Sequence, residues 1–379
     1  MKREIPFGRP ILGDEEKQAM LAVLSGSILT HGPQCAAFEA RFAQEVGVRH
    51  AVTMSNCTTA LHLAIEAHDI GPGDEVIVPA MTHVATAHAV EHAGARPVFA
   101  DIDPATGNVA AARIAAAVTP RTKAIMVVHY LGLPCDMDAI ASVAGGLPVI
   151  EDCATALGAS YKGRKPGGLA AAGCFSFYPA KHITTLEGGM LTTDDDRIAE
   201  RVRKQRAFGY DKNLGERSIP GVYDIAMLGW NYRMSEGHAA VGLCQMDRLA
   251  GFMERRRANA DTLISYLSRA SGTYVFPLRH GESESGRYCV NVTLPREGGP
   301  DRAELIRRLN ADGVGTSVHY PVALPLSKYY REKYGARPGD FPEAEWVASR
   351  TISLPCGPHL DESDMAYIGE CFLGHYSKL

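Results

Sequence analysis

The first two thirds of the chain alternate short β-branched runs with amphipathic stretches, and a chain written that way folds as a sheet flanked by helices. The runs that read as strands lie near His50–Ser55, Glu75–Pro79, Arg96–Asp101, Lys123–Tyr130, Pro148–Asp152, Gly173–Phe177 and Gly189–Thr193. Between the first two, TTALHLAIEAHDI repeats Ala60, Leu61, Ala64 and Ile65 at helical spacing, and Thr58 and Thr59 suit its capped start. GPGDE, Gly71 to Glu75, reads as the turn into the next strand. After Leu249 the pattern changes: a charged helix with Glu254 to Arg257, a strand in YCVNVTLP, and a helix in DRAELIRRLNADGVG closed by Gly313. This predicts a large α/β domain over 1–249 and a smaller C-terminal α+β domain over 250–379.

Composition removes several function classes. With 379 residues and 46% apolar content, the chain can fill two ordinary cores. It shows no run of about 18 apolar residues, so no membrane span is expected. The opening residues, with Lys2, Arg3, Glu4, Pro6 and Pro10, lack the apolar stretch of a secretory signal, and a cytoplasmic location is expected. Nine cysteines without CxxC pairs fit reduced thiols, and no metal is assigned to them. A net charge of -4 without a basic block argues against nucleic acid and for a small-molecule partner.

In a mostly parallel sheet, ligands bind beyond the carboxyl ends of the strands. SNCTTA leads from the first strand into a helix N-terminus whose amides suit a phosphate, although an ordinary capped helix reads the same way. His83, after the second strand, stands where a flat ring could stack on a flat cofactor, or serves only structure. Asp152 ends the fifth strand, where a carboxylate can pair with a protonated ring nitrogen, or in other folds with a metal or ribose; Glu151 alternates to the opposite face. In CFSFYPAKHITTLEGGMLTTDD, Lys181 follows a strand five residues after Ser176 and precedes a Thr-Thr and a Gly-Gly pair. A lysine in a water-poor crevice gives up its proton and attacks carbonyls.

Together with LTHGP, SNCTTALHLA, GPGDEVIVPAMTHVATAHAV, GARPVFADID, HYLGLPCDMDAI, IEDCATALGASYKG, LGWNYRMSEGHAAVGLCQMDRL and GTSVHYP, that segment resembles the DegT/DnrJ/EryC1/StrS sugar aminotransferases. These are fold-type I pyridoxal 5'-phosphate (PLP) enzymes, whose large domain holds a mostly parallel seven-stranded sheet. The resemblance implies that Lys181 carries PLP as a Schiff base and moves protons, and that Asp152 keeps the pyridine nitrogen protonated. It implies His83 against the ring, Thr155 near the phenolic oxygen, and Ser176, Thr58 and Thr59 on the phosphate. Asn231 would reach the phosphate from a neighbouring subunit, making a homodimer with shared sites. His319 and Tyr320 would face the substrate. The implied donor is L-glutamate, pyridoxamine 5'-phosphate is the intermediate cofactor form, and the acceptor is a nucleotide-linked keto sugar.

The chain departs from the family pattern at Thr155, where Gln or His is usual, at Leu324 and Pro325, where His is common, and at Ile28, where Trp is frequent. Related dehydratases replace the lysine with His, but counting from Ser176 puts Lys181, and not His182, at that position. SILTHGP looks more like members that aminate C4 of a 4-keto-6-deoxy sugar than like the C3 group, for surface polysaccharide or natural-product synthesis. The alternatives are a cyclitol aminotransferase, an aminohydroxybenzoate synthase-like enzyme, and a PLP-binding regulatory protein.

Overall fold

A strand buried on both faces needs helices on both sides, and that requirement organises the first part of the chain. The computed structural model describes residues 3–212, 219 and 221–379. Two helices, α1 (Asp14–Leu24) and α2 (Pro33–Val46), precede an alternation of β1 (His50–Met54), α3 (Cys57–Ala67), β2 (Glu75–Pro79), α4 (Val84–His92) and β3 (Arg96–Ala100). It continues through α5 (Ala111–Ala117), β4 (Thr122–Val128), α6 (Met137–Ala144), β5 (Val149–Asp152), β6 (Ser160–Tyr161), β7 (Ala172–Ser176), β8 (Gly189–Thr193) and α7 (Asp196–Gln205). Each strand expected here forms within two residues of its expected ends.

Among the described residues, seven of these strands make one sheet in the order β1-β8-β7-β5-β4-β2-β3. Only β8 runs antiparallel to its neighbours, so the sheet is mostly parallel, as fold-type I requires. Every residue of β2 and of β8 is buried. One apolar layer packs α3 and α4 through Leu61, Ile65 and Val90 against the sheet; on another, Phe38 and Phe42 of α2 meet Phe175 and Phe177. The rings of Phe42 and Phe175 meet edge-on at 4.9 Å, the geometry that aromatic quadrupoles favour.

Next comes α8 (Glu236–Leu267), followed by β9 (Tyr274–Val275), β10 (Arg279–His280), β11 (Ser283–Glu284), β12 (Val290–Thr293), α9 (Arg302–Ala311), α10 (Lys328–Tyr334), α11 (Pro342–Arg350), β13 (Thr351–Leu354) and α12 (Glu362–Tyr376). The expected 249/250 division falls inside α8. Its first half buries Ala239, Met246 and Leu249 with the sheet-side helices, and its second half buries Ala260, Leu263 and Leu267 with β12, β13 and α12. Ile5 packs into that second core, bridged in parallel to Val314. A three-stranded sheet β13-β12-β9 backs it, and another, β10-β11-β6, ties the C-terminal part to the loop after β5.

Candidate active site

The sheet register gathers the phosphate-type groups. Gly189 pairs with Met54 on one side and Ser176 on the other, so the carboxyl ends of β1 and β7 flank the same point. A Cβ on Gly189 would lie 2.4 Å from the carbonyl carbon and oxygen of Asn56, so only glycine lets the Ser55–Asn56 turn come this close. Asn56, and not Thr58 or Thr59, caps α3: its backbone is extended and its side chain accepts the Thr59 amide at 3.0 Å. Asn56 is the last non-helical residue, which leaves both threonines inside the first turn. The Thr59 hydroxyl donates to the Asn56 carbonyl at 2.8 Å, and Ser55 lies 3.3 Å from it. Thr58 and Ser176 remain half-buried at the same edge.

Asp152 and Glu151 point to opposite faces of β5, as alternation demands. The Thr86 hydroxyl donates to Asp152 Oδ2 at 2.8 Å, the Ala154 amide donates to Oδ1 at 3.1 Å, and Thr82 lies 2.6 Å from Thr86. Glu151, fully buried, accepts the amides of Gly167, Leu169 and Ala170, each at 2.9 Å. His129 Nδ1 accepts the Cys135 amide, so its Nε2 carries the proton and donates to Glu151 at 2.9 Å. His129, Glu151 and Cys153 are close enough for a metal, but these bonds commit the carboxylate to holding the loop before β7.

Lys181 is half-buried, with its Nζ 5.0 Å from the centre of the Tyr288 ring. Burial pulls its pKa below the ordinary lysine value, opposed by charge on Cys57, Asp152 and Cys289. Burial pushes both thiols up, so they stay neutral near pH 7 and the Asp152 carboxylate is the opposing charge. His182 turns away: its Nε2 donates to the Gly286 carbonyl at 2.8 Å, and burial holds the ring far below its usual pKa.

Lys181 and Asp152 lie close enough to His83 for their charges to act on it, Lys181 and His83 act likewise on His319, and Asp152 on Tyr320, so these five residues share one crevice. His83 is the N-cap of α4, exposed at the mouth of the crevice, with its ring 5.9 Å from that of Tyr320. His319 packs between Phe7, Tyr288 and Tyr320 at 5.5 to 5.6 Å, with its Nδ1 2.8 Å from Ser353 Oγ. Burial, then Lys181 and His83, push its pKa down to about 4. The buried Thr155 donates its hydroxyl to the His129 carbonyl at 3.2 Å. Asn231 is exposed beside Tyr232, whose carbonyl accepts the Ser55 amide at 2.7 Å. Thr82, Thr86 and Tyr288 did not stand out in the sequence; the one signal was the four-residue spacing of the two threonines, one helical turn.

These residues fit PLP on their own chemistry: a half-buried lysine of weakened basicity, a carboxylate with lone pairs left over, and hydroxyls and amides about a helix N-terminus that glycine keeps open. The fold and this site define a fold-type I PLP-dependent aminotransferase. Residues 10–373 match the DegT/DnrJ/EryC1/StrS aminotransferase family, and the chain belongs to it. It is 39% identical over 371 residues to the spore coat polysaccharide biosynthesis protein SpsC of Bacillus subtilis, covering 95% of this chain and 94% of that one. Spr1654 of Streptococcus pneumoniae, described as a sugar aminotransferase and solved in its PMP form, superposes with a TM-score of 0.93 at 28% identity over 99% of this chain and 100% of that one. Its PLP form gives 0.92. The aminotransferase TlmJ of Streptoalloteichus hindustanus gives 0.90 at 35% identity, covering both chains fully (100% each).

Proposed function

We propose that this aminotransferase moves the amino group of L-glutamate to C4 of a nucleotide-linked 4-keto-6-deoxy sugar, in the cytoplasm, for a surface polysaccharide such as lipopolysaccharide or for a natural product. The observation that carries the reading is the convergence of Lys181, Asp152 and the Ser176–Gly189–Asn56 cradle on one sheet edge. SpsC is named for polysaccharide synthesis and Spr1654 for sugar amination, which supports a sugar acceptor here.

PLP, when bound, supplies an electron sink for a substrate carbon and a store for the amino group between half-reactions. Ser176, Thr58 and the first amides of α3 would hold its phosphate, where the helix dipole favours an anion, while Thr59, its amide and hydroxyl proton both given to Asn56, holds the turn beneath them. Asp152 accepts the pyridine N–H, and His83 covers the ring face. Thr155, its proton committed to His129, offers the phenolic side only lone pairs. Lys181 would hold the cofactor through Nζ and, when free, would carry the proton that leaves the donor's α-carbon; its lowered basicity suits both taking and giving that proton. His319 and Tyr320 close the substrate side, where the neutral imidazole presents hydrogen bonds without charge.

The protein is proposed to work as a homodimer with Asn231 serving the partner's phosphate. Ile219, Val222, Ile225 and Leu228, 55 to 78% exposed just upstream of Asn231, support a covered surface there. Residues 1–249 are proposed as the PLP domain and 250–379 as the small domain.

Absorbance spectra of the wild type and Lys181→Ala, each with PLP and then with L-glutamate, test the reading. The wild type is expected to show the lysine-bound band and lose it to the pyridoxamine form on adding glutamate; the variant never forms that band. A wild-type band indifferent to glutamate refutes the donor assignment, and a panel of keto sugars then tests the acceptor.

A further inference from the structure

What holds Asp152 in place is a chain of neutral hydroxyls. Thr82, Thr86 and Asp152 are 2, 0 and 5% exposed, so water does not compete for their bonds. An ionised carboxylate only accepts, so the Thr86 proton must point at Asp152 Oδ2, 2.8 Å away. The Thr86 oxygen is then free to accept, and the Thr82 hydroxyl, 2.6 Å away, donates to it. The hydrogen bonds therefore run one way, from Thr82 to Thr86 to Asp152, and each polarises the next. The Ala154 amide fixes the other oxygen at 3.1 Å. A carboxylate has about four acceptor sites; with these two filled, each oxygen keeps a lone pair for a further donor.

The backbone sets this arrangement. Thr86 lies in the first turn of α4, its amide bonded to the carbonyl of the N-cap His83 at 3.1 Å, and Thr82 precedes that cap. The spacing of four residues stacks the two hydroxyls over the end of β5.

We infer that Thr86 is a positioning residue for the cofactor: its hydroxyl, oriented by Thr82, fixes the Asp152 carboxylate in the charged, aimed state that keeps the pyridine nitrogen protonated. The inference rests on Asp152 facing that nitrogen, as proposed above. Without the hydroxyl, Oδ2 loses its protein donor in a buried place and the carboxylate is free to turn.

The test compares full-length wild type, Thr86→Val, Thr86→Ser, Thr82→Val and Asp152→Asn, each stripped of PLP and titrated back. Two quantities are read: the PLP dissociation constant, and the pH midpoint of the lysine-bound absorbance band. Thr86→Val is expected to weaken PLP binding roughly ten-fold and to move the midpoint in the same direction as Asp152→Asn. Thr86→Ser, which keeps the hydroxyl, should stay within about two-fold of wild type, and Thr82→Val should show the same shift at smaller size. A purely structural threonine would leave the midpoint where it was. Wild-type values for Thr86→Val beside a disabled Asp152→Asn overturn the inference alone, whereas a wild-type Asp152→Asn overturns the Asp152 assignment beneath it. Should Thr86→Val not fold, an unshifted midpoint in Thr82→Val overturns the inference.

Discussion

Acid should loosen this fold partly through a single imidazole, His319. Its folded pKa is about 4 against 6.5 for an ordinary histidine, because burial and the charges of Lys181 and His83 oppose protonation. The shift is downward, so between these values the unfolded chain binds the proton that the folded chain refuses. The contribution to stability is therefore complete above pH 6.5 and drains away as pH falls toward 4. Linkage puts the loss at about 0.2 kcal/mol at pH 7 and about 2 kcal/mol at pH 5. Replacing His319 with Phe keeps a ring among Phe7, Tyr288 and Tyr320 and removes the titration, at the cost of the Ser353 bond. That cost, roughly 1 kcal/mol, does not depend on pH over this range. Urea unfolding of the apoprotein, followed through tryptophan fluorescence at one fixed protein concentration, reads both terms. The variant should be the less stable form at pH 7 and match or exceed wild type at pH 5. Parallel stability curves from pH 7 to pH 5 would refute the assignment of that acid sensitivity to His319.

Glu151→Gln puts an amide nitrogen where three backbone N–H groups and His129 converge, and should destabilise the protein by about 3–5 kcal/mol in the same unfolding assay. An unchanged midpoint would mean that the loop before β7 does not depend on that carboxylate. Gly189→Ala drives a Cβ into Asn56, and should cost about 1–3 kcal/mol while displacing the turn that starts α3. Faster loss of PLP on dialysis than from wild type is the expected signature; equal retention would separate Gly189 from the phosphate site.

Much of the architecture is legible because it is periodic. The β-branched runs placed the strands, and the helical spacing of Ala60, Leu61, Ala64 and Ile65 placed α3. The cap of α3 was misplaced because Asn, Thr and Thr all suit a cap, and only backbone conformation distinguishes Asn56. Period alone also placed Asp152 and Glu151 on opposite faces of β5. It could not show that one is committed to three loop amides and His129 and the other to a threonine chain, since those partners lie 16 to 66 residues away.

The sequence by itself thus determined the class of the sheet, the strand ends that bear Asp152 and Ser176, and the lysine whose neighbours mark it out. Tertiary structure decided what those groups experience. Gly189 brings β1 and β7 to one point, Tyr288 arrives from the C-terminal part to lie beneath Lys181, and burial sets the proton affinities of Lys181 and His319. The reason is physical: periodicity is local and survives in any window of sequence, whereas desolvation and long-range hydrogen bonds exist only once distant segments have closed around the group.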